Sequence, residues 1–237
     1  MANIALIIAG GSGARMHQDI PKQFLTVNER PVIIYTLDAF QRHPEIDEID
    51  VVCIDGWESV LRAYASQFNI TKLKYIVPGG SNGQSSIRNG LFELEKHHQA
   101  DDIVLIHDAI RPMVSAEIIS DCIVTTKKHG NAVTVIPCAE AMMETEDGSC
   151  STGSYPRERL KRTQTPQAFR LGSICDLHRR ALDAGITNSV ASCTLMIEMG
   201  EQVFFSSGSE KNIKLTTLDD IDIFKALLAA KRSDWLK

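Results

Sequence analysis

Five short apolar runs punctuate the first 137 residues: IALIIA (4–9), IDVVCI (49–54), KYIVP (74–78), DIVLIH (102–107) and AVTVIP (132–137). They are rich in Val and Ile, and none alternates cleanly between apolar and polar positions. That pattern predicts strands covered on both faces, as in a parallel sheet. Amphipathic stretches of helical length lie between them. RPVIIYTLDAFQRH (30–43) places Pro31 at a first turn, and SSIRNGLFELEKHH (85–98) offers Ser85 as an N-cap. The alternation of strand and helix over residues 3–137, with right-handed crossovers, predicts a doubly wound, mostly parallel α/β sheet whose ligands sit at the carboxyl ends of the strands.

The pattern changes after Pro137. CAEAMMETEDGSCSTGSYPRERLKR (138–162) has turn residues and charge where a packed layer would need apolar periodicity, so an arm at about 138–163 is expected to protrude from a single domain spanning 1–237. TPQAF (165–169) rejoins the core, helices are expected near 171–184 and 190–199, and QVFFSS (202–207) reads as a strand. TTLDDIDIFKALLAAKRS reads as a final helix, with Thr217 as N-cap and Asp220 in a capping-box-like position.

Composition narrows the function. The chain has 237 residues and a formal net charge of −5, which argues against a nucleic-acid or anionic-membrane surface. Its six cysteines are never closer than twelve residues, so no C-x-x-C spacing exists and the thiols suit a reducing compartment. The apolar opening is too short to span a bilayer and lacks the features of a secretory signal, so a cytoplasmic location is expected.

The candidate chemistry begins in LIIAGGSGARMHQDIPKQF (6–24). A dinucleotide fingerprint fits only as Gly11-x-Gly13, with Met16 where a third glycine should pack, and Pro21 forbids a long helix directly behind the loop. A P-loop fails because no Gly-Lys-Ser/Thr follows at the required spacing. The bland alternative is a tight turn with surface charges. The remaining reading is an extended loop around a polyphosphate, with the backbone N–H groups of Gly10 to Gly13 as an anion nest and Arg15 and Lys22 as separate cations. Cations prepositioned in a water-poor site neutralise charge developing at phosphorus.

LIIAGGSGARM, PKQF, GG followed by SS at 79–86, HDAIRP (107–112), TPQ (165–167) and NIKLTT (212–217) occur in the order found in polyol-phosphate cytidylyltransferases. The chain resembles the family containing 2-C-methyl-D-erythritol 4-phosphate cytidylyltransferase and ribitol-5-phosphate cytidylyltransferase, over nearly its whole length. The resemblance implies a Rossmann-like nucleotidyltransferase fold, CTP as co-substrate, Mg²⁺, and a homodimer formed through the arm. It implies Arg15, Lys22 and Lys214 as catalytic cations, and Ala9, Gly10, Gly11, Gly13, Gly80, Ser81, Ser86 and Asp108 as nucleotide-binding positions. By the same resemblance Asp108 lies near the metal, and Arg157 and Arg111 grip the acceptor.

The residues also have simpler roles. Arg111 can pair with Asp108, Ser85 suits a cap, and Asp219 and Asp220 suit a helix N-terminus. His107 suits a strand end better than a general base, since a phosphate nucleophile is already ionised at neutral pH. Two departures from the family pattern touch base recognition, Ser81 for an acidic residue and Gly83 for an Arg of many relatives, and others fall around the acceptor: Ala141 stands in place of an arm Thr, and Asn188 in place of an acid. Such losses shift acceptor selectivity. HDAIRP favours methylerythritol phosphate as the nominal acceptor, while QTPQAF and NIKLTT lean to ribitol 5-phosphate. The rivals are a non-catalytic CTP-binding regulator and, more remotely, a nicotinamide-dependent oxidoreductase.

Overall fold

A computed structural model of the chain describes residues 1–11 and 20–230. Strand β1 (Asn3–Ala9) leads to a 3₁₀ turn (Lys22–Phe24), the small hairpin β2 (Thr26–Val27) and β3 (Arg30–Pro31), and helix α1 (Val32–Arg42). There follow β4 (Glu48–Cys53), α2 (Glu58–Gln67), β5 (Leu73–Pro78), α3 (Gly83–Leu94), β6 (Ile103–Asp108), α4 (Ala116–His129) and β7 (Asn131–Pro137). The arm is a hairpin of β8 (Met142–Glu144) and β9 (Gly153–Tyr155), followed by a second 3₁₀ turn (Arg157–Arg159). The chain then runs through β10 (Lys161–Arg170), α5 (Leu171–Asp183), α6 (Ser192–Glu198), β11 (Phe205–Ser207) and α7 (Leu218–Ala230).

Seven strands form the central sheet in the order β11-β7-β10-β6-β1-β4-β5. All neighbours are parallel except β10, which runs antiparallel between β6 and β7. The period-two geometry of β1 sends Ala5 and Ile7 into one layer with Ile33 and Leu37 of α1, Leu61 of α2 and Ile119 of α4. It sends Ile4 and Leu6 into the other, against Leu91 and Leu94 of α3 and Ile174 and Leu177 of α5. A third cluster packs Phe224 of α7 on Val32, Ile110 and Leu215, tying the last helix to the carboxyl-end rim of the sheet.

The five predicted strands and their intervening helices form in the expected order. Three local features differ. Strand β5 lies at the sheet edge, so Lys74 and Tyr75 are exposed and its two faces are not both covered. QVFFSS shortens to Phe205–Ser207, the part that finds a partner in β7. Helix α3 starts earlier than its sequence suggests, because Asn82 is the cap: its Oδ1 accepts from Ser85 N–H at 2.8 Å, and Ser85 Oγ accepts from Asn82 N–H at 3.0 Å. Ser85 is thus the answering member of a capping box. At α7 the expected pair holds, with Asp220 N–H donating to Thr217 Oγ1 and Thr217 N–H to Asp220 Oδ2.

Helix α3 approaches the sheet through Gly90, where a Cβ would lie 2.7 Å from Val52 Cγ2 and 2.8 Å from Leu6 Cδ1. On this side of the sheet Asp50 is buried in β4, accepting one hydrogen bond from Tyr75 N–H at 3.0 Å. Burial pushes its carboxyl up to about 7, with Glu48 and Glu93 adding to the rise against the Tyr75 bond. At mildly acidic pH it is therefore carried in the core as the neutral acid. No helix among the described residues is long and apolar enough to cross a membrane.

Candidate functional site

Strands β1 and β6 run side by side, with Ile8 opposite Asp108, and both end at the same rim of the sheet. Parallel strands that stop together leave a crevice beyond their carboxyl ends. Here it is a cleft of about 510 Å³ whose lining includes Ala9, Gly10, Gly11, Lys22, Gly80, Ser81, Ser86, Asp108 and Lys214. A second cavity of about 320 Å³ adjoins it, sharing Ile8, Gly83, Asp108 and Lys214 and reaching Arg111, Thr165, Gln167 and Ser192. The two spaces meet at one carboxylate and one ammonium.

Two loops form the floor of the larger cleft. Gly79 and Gly10 pass so close that a Cβ at Gly79 would sit 3.3 Å from the Gly10 Cα. The first residues after β1 are held by Gln23, whose buried amide donates to Ala9 O at 2.8 Å and Gly11 O at 3.0 Å. Ser86 Oγ accepts from Gly80 N–H at 2.9 Å and donates to Asn82 O at 2.8 Å, so Ser86 shapes the loop it also presents to the cleft. Gly80 has no room for a side chain, since a Cβ would fall 2.3 Å from Ser85 Oγ.

Asp108 Oδ2 receives both Arg111 Nε and Lys214 Nζ at 3.1 Å. Burial alone would raise this carboxyl, but the adjacent Lys214 and Arg111 charges outweigh it and hold it below the usual carboxylate range. It is therefore ionised throughout the neutral range. Arg111 also donates from Nη1 to Asn212 O at 2.8 Å, and Asn212 Nδ2 donates to Thr165 O at 2.9 Å and Gln164 Oε1 at 3.2 Å. These bonds staple the NIKLTT segment to β10 and so aim Lys214 at the rim. His107 is fully buried beside Phe40, with Nε2 3.2 Å from Arg111 O. Burial lowers its pKa to about 4, so it is neutral at pH 7 and serves the strand end.

The structure thus gathers Ala9, Gly10, Gly11, Lys22, Gly80, Ser81, Ser86, Asp108 and Lys214 around one cleft, with Arg111 at the adjoining cavity. Arg15 and Gly13 lie outside the described residues. Arg157 sits at the base of the arm, where Nη1 donates to Ala139 O at 3.0 Å and Nε pairs with Glu158 at 3.4 Å; it is absent from the lining of both spaces. Sequence reasoning missed Gln23 and Asn82. Gln23 stood in view within PKQF, but only the fold shows that its amide spans two carbonyls. Among the described residues no three His, Cys, Asp or Glu side chains come together as a metal site of their own.

Over residues 3–230 the sequence matches the family described as IspD, 2-C-methyl-D-erythritol 4-phosphate cytidylyltransferase. The chain belongs to this cytidylyltransferase family. A relative named ribitol-5-phosphate cytidylyltransferase, from Lacticaseibacillus paracasei, is 43% identical over 96% of this chain and 98% of its own length. A 2-C-methyl-D-erythritol 4-phosphate cytidylyltransferase from Clostridium botulinum (strain Okra / Type B1) is 36% identical over 95% of this chain and 97% of its own. Among solved structures, a 4-diphosphocytidyl-2C-methyl-D-erythritol synthase from Anaerococcus prevotii superposes with a TM-score of 0.82 at 26% identity, covering 96% of both chains. Cytidylyltransferase membership accounts for the mostly parallel sheet with helices on both faces.

Proposed function

We propose that the protein transfers CMP from CTP to ribitol 5-phosphate. An acceptor phosphate oxygen bonds to the α-phosphorus of CTP as the bond to the bridging oxygen breaks, and pyrophosphate departs. The observation that carries the transferase reading is the placement of Lys22, Lys214 and Asp108 around the cleft at the end of β1 and β6. A sensor of CTP needs no cation aimed where two cavities meet, so the regulator reading is weaker. Lys214 borders both spaces and is suited to hold the acceptor phosphate against the nucleotide. Lys22 is suited to the triphosphate, together with Arg15.

Asp108 is the one carboxylate among the described residues lining either space, and it would hold a Mg²⁺ ion, which needs only one or two carboxylates beside substrate phosphates. Such an ion, when bound, neutralises phosphate charge. The protein's own part is to fix Asp108 between Arg111 and Lys214 and so set the position of the carboxylate.

The choice of acceptor follows the relatives. Methylerythritol phosphate, the nominal acceptor from HDAIRP, gives way to ribitol 5-phosphate, because five relatives named for ribitol 5-phosphate share 39–43% of positions and three named for methylerythritol phosphate 33–36%. With purified protein, CTP and Mg²⁺, kcat/KM for ribitol 5-phosphate is expected to exceed that for methylerythritol 4-phosphate at least about tenfold, the scale set by losing one matched hydrogen bond. The reverse ratio restores the methylerythritol reading, and no pyrophosphate with either acceptor favours the regulator.

We also infer a homodimer in which the arm carries Arg157 toward a second copy. The support is the apolar surface on an otherwise polar hairpin, where Met142, Met143 and Tyr155 are exposed. Light scattering at assay concentration should give twice the 26.2 kDa chain mass. A monomeric mass would remove Arg157 from the site.

A further inference from the structure

The segment 186–189 has no secondary structure of its own, yet it leads directly into Val190, Ala191 and Ser192, which form one wall of the smaller cavity. Irregular backbone in such a place needs partners to stay put. Two side chains from the start of α3 supply them. Gln84 Nε2 donates to Ile186 O at 2.8 Å, and Gln84 Oε1 accepts from Ser189 N–H at 2.7 Å. Asn82 Nδ2 donates to Thr187 O at 3.1 Å. Gln84 is only 3% exposed and borders neither the nucleotide cleft nor the smaller cavity.

We propose that Gln84 is a positioning residue for the acceptor: by gripping both ends of residues 186–189 it sets the wall against which the polyol phosphate lies. A single planar amide that donates to one backbone carbonyl and accepts from a backbone N–H three residues on fixes their separation and orientation together. The amide is buried, so water is a poor substitute for either bond once it is lost. The same turn of α3 carries Asn82, Ser85 and Ser86, which order the loop under the nucleotide. The two substrate spaces are therefore built from one helix start, with Gln84 facing the acceptor side and Ser86 the nucleotide side. The inference rests on the transferase reading above, because it assigns the smaller cavity to the acceptor.

Gln84→Met keeps the length and bulk of the side chain and removes both bonds, whereas Gln84→Glu keeps the acceptor for Ser189 N–H and loses the donor to Ile186 O. The Met variant is expected to raise the acceptor KM at least about tenfold while the KM for CTP changes less than twofold, with the Glu variant between it and the wild type. Amide hydrogen exchange, which requires no turnover, should show faster exchange across residues 186–190 in the Met variant, with α3 unchanged. A general loss of packing would instead move the KM for CTP and the melting temperature together. A wild-type acceptor KM and unchanged exchange in a folded Met variant overturn the proposal while leaving the transferase reading intact. Failure of the wild-type protein to turn over any polyol phosphate overturns that reading and the acceptor role with it, even if exchange shows that Gln84 still holds the segment.

Discussion

Replacing Lys214 by Ala should lower kcat/KM for cytidylyl transfer at least about 100-fold, the scale of losing one preorganised charge-stabilising group, or roughly 3 kcal/mol of transition-state stabilisation. The reason is positional: Lys214 is the ammonium that borders both cavities, and its Nζ lies 3.1 Å from Asp108 Oδ2. Folding should be little affected. The side chain is 42% exposed, and Arg111 still neutralises Asp108 at 3.1 Å when Lys214 is gone. Pyrophosphate release measured beside a thermal melt separates the two effects. A loss below about tenfold with an intact melt would place the transition-state charge on other groups.

The second large effect is expected in the core. Gly90→Val should cost about 3 kcal/mol of stability through overpacking, and so lower the melting temperature by roughly 10 °C for a domain of this size. Helix propensity pulls the other way by a few tenths of a kcal/mol, because glycine is the poorer helix former. Packing wins, since even a single added carbon would meet Val52 at 2.7 Å and Leu6 at 2.8 Å. The alternative to a clash is that α3 lifts off the sheet, which would carry Asn82, Ser85 and Ser86 away from the nucleotide loop. Denaturant melts read the first outcome and the KM for CTP reads the second; an unchanged value of both would show that the helix–sheet contact is looser than these distances.

The parts of this molecule legible in the sequence are those governed by local periodicity or by ordered motifs. Val- and Ile-rich runs with covered faces announced five parallel strands, and Thr217 with Asp220 announced the start of the last helix. The motif order brought Lys22, Asp108 and Lys214 together on paper before the fold did so in space. Edges and caps were harder. Nothing within KYIVP says that no strand pairs beyond it, and the cap fell three residues before Ser85 because Asn82 keeps extended backbone and accepts from Ser85 N–H. Gln23 and Gln84 were invisible for another reason: each joins segments whose closeness only the fold creates, 12 to 14 residues apart for Gln23 and 102 to 105 for Gln84. The wall near Ser189 and the arm, where we propose that acceptor identity is set, have no periodic signature.

The reversed direction of β10 decides how the arm is mounted. β7 runs out to Pro137 at the cleft rim and β10 returns from Lys161 at that same rim, with their pairing resumed at Lys161 opposite Pro137. Both roots of the hairpin are therefore anchored on neighbouring interior strands at one rim of the sheet, and a register slip between Thr163 and Gln167 falls where β10 borders the smaller cavity. Thr165 lies four residues along β10 from the hairpin root at Lys161. In the dimer proposed above, the hairpin that carries Arg157 can therefore be lengthened, trimmed or rewritten apart from the floor of the larger cleft, because no residue of 138–162 lines that cleft.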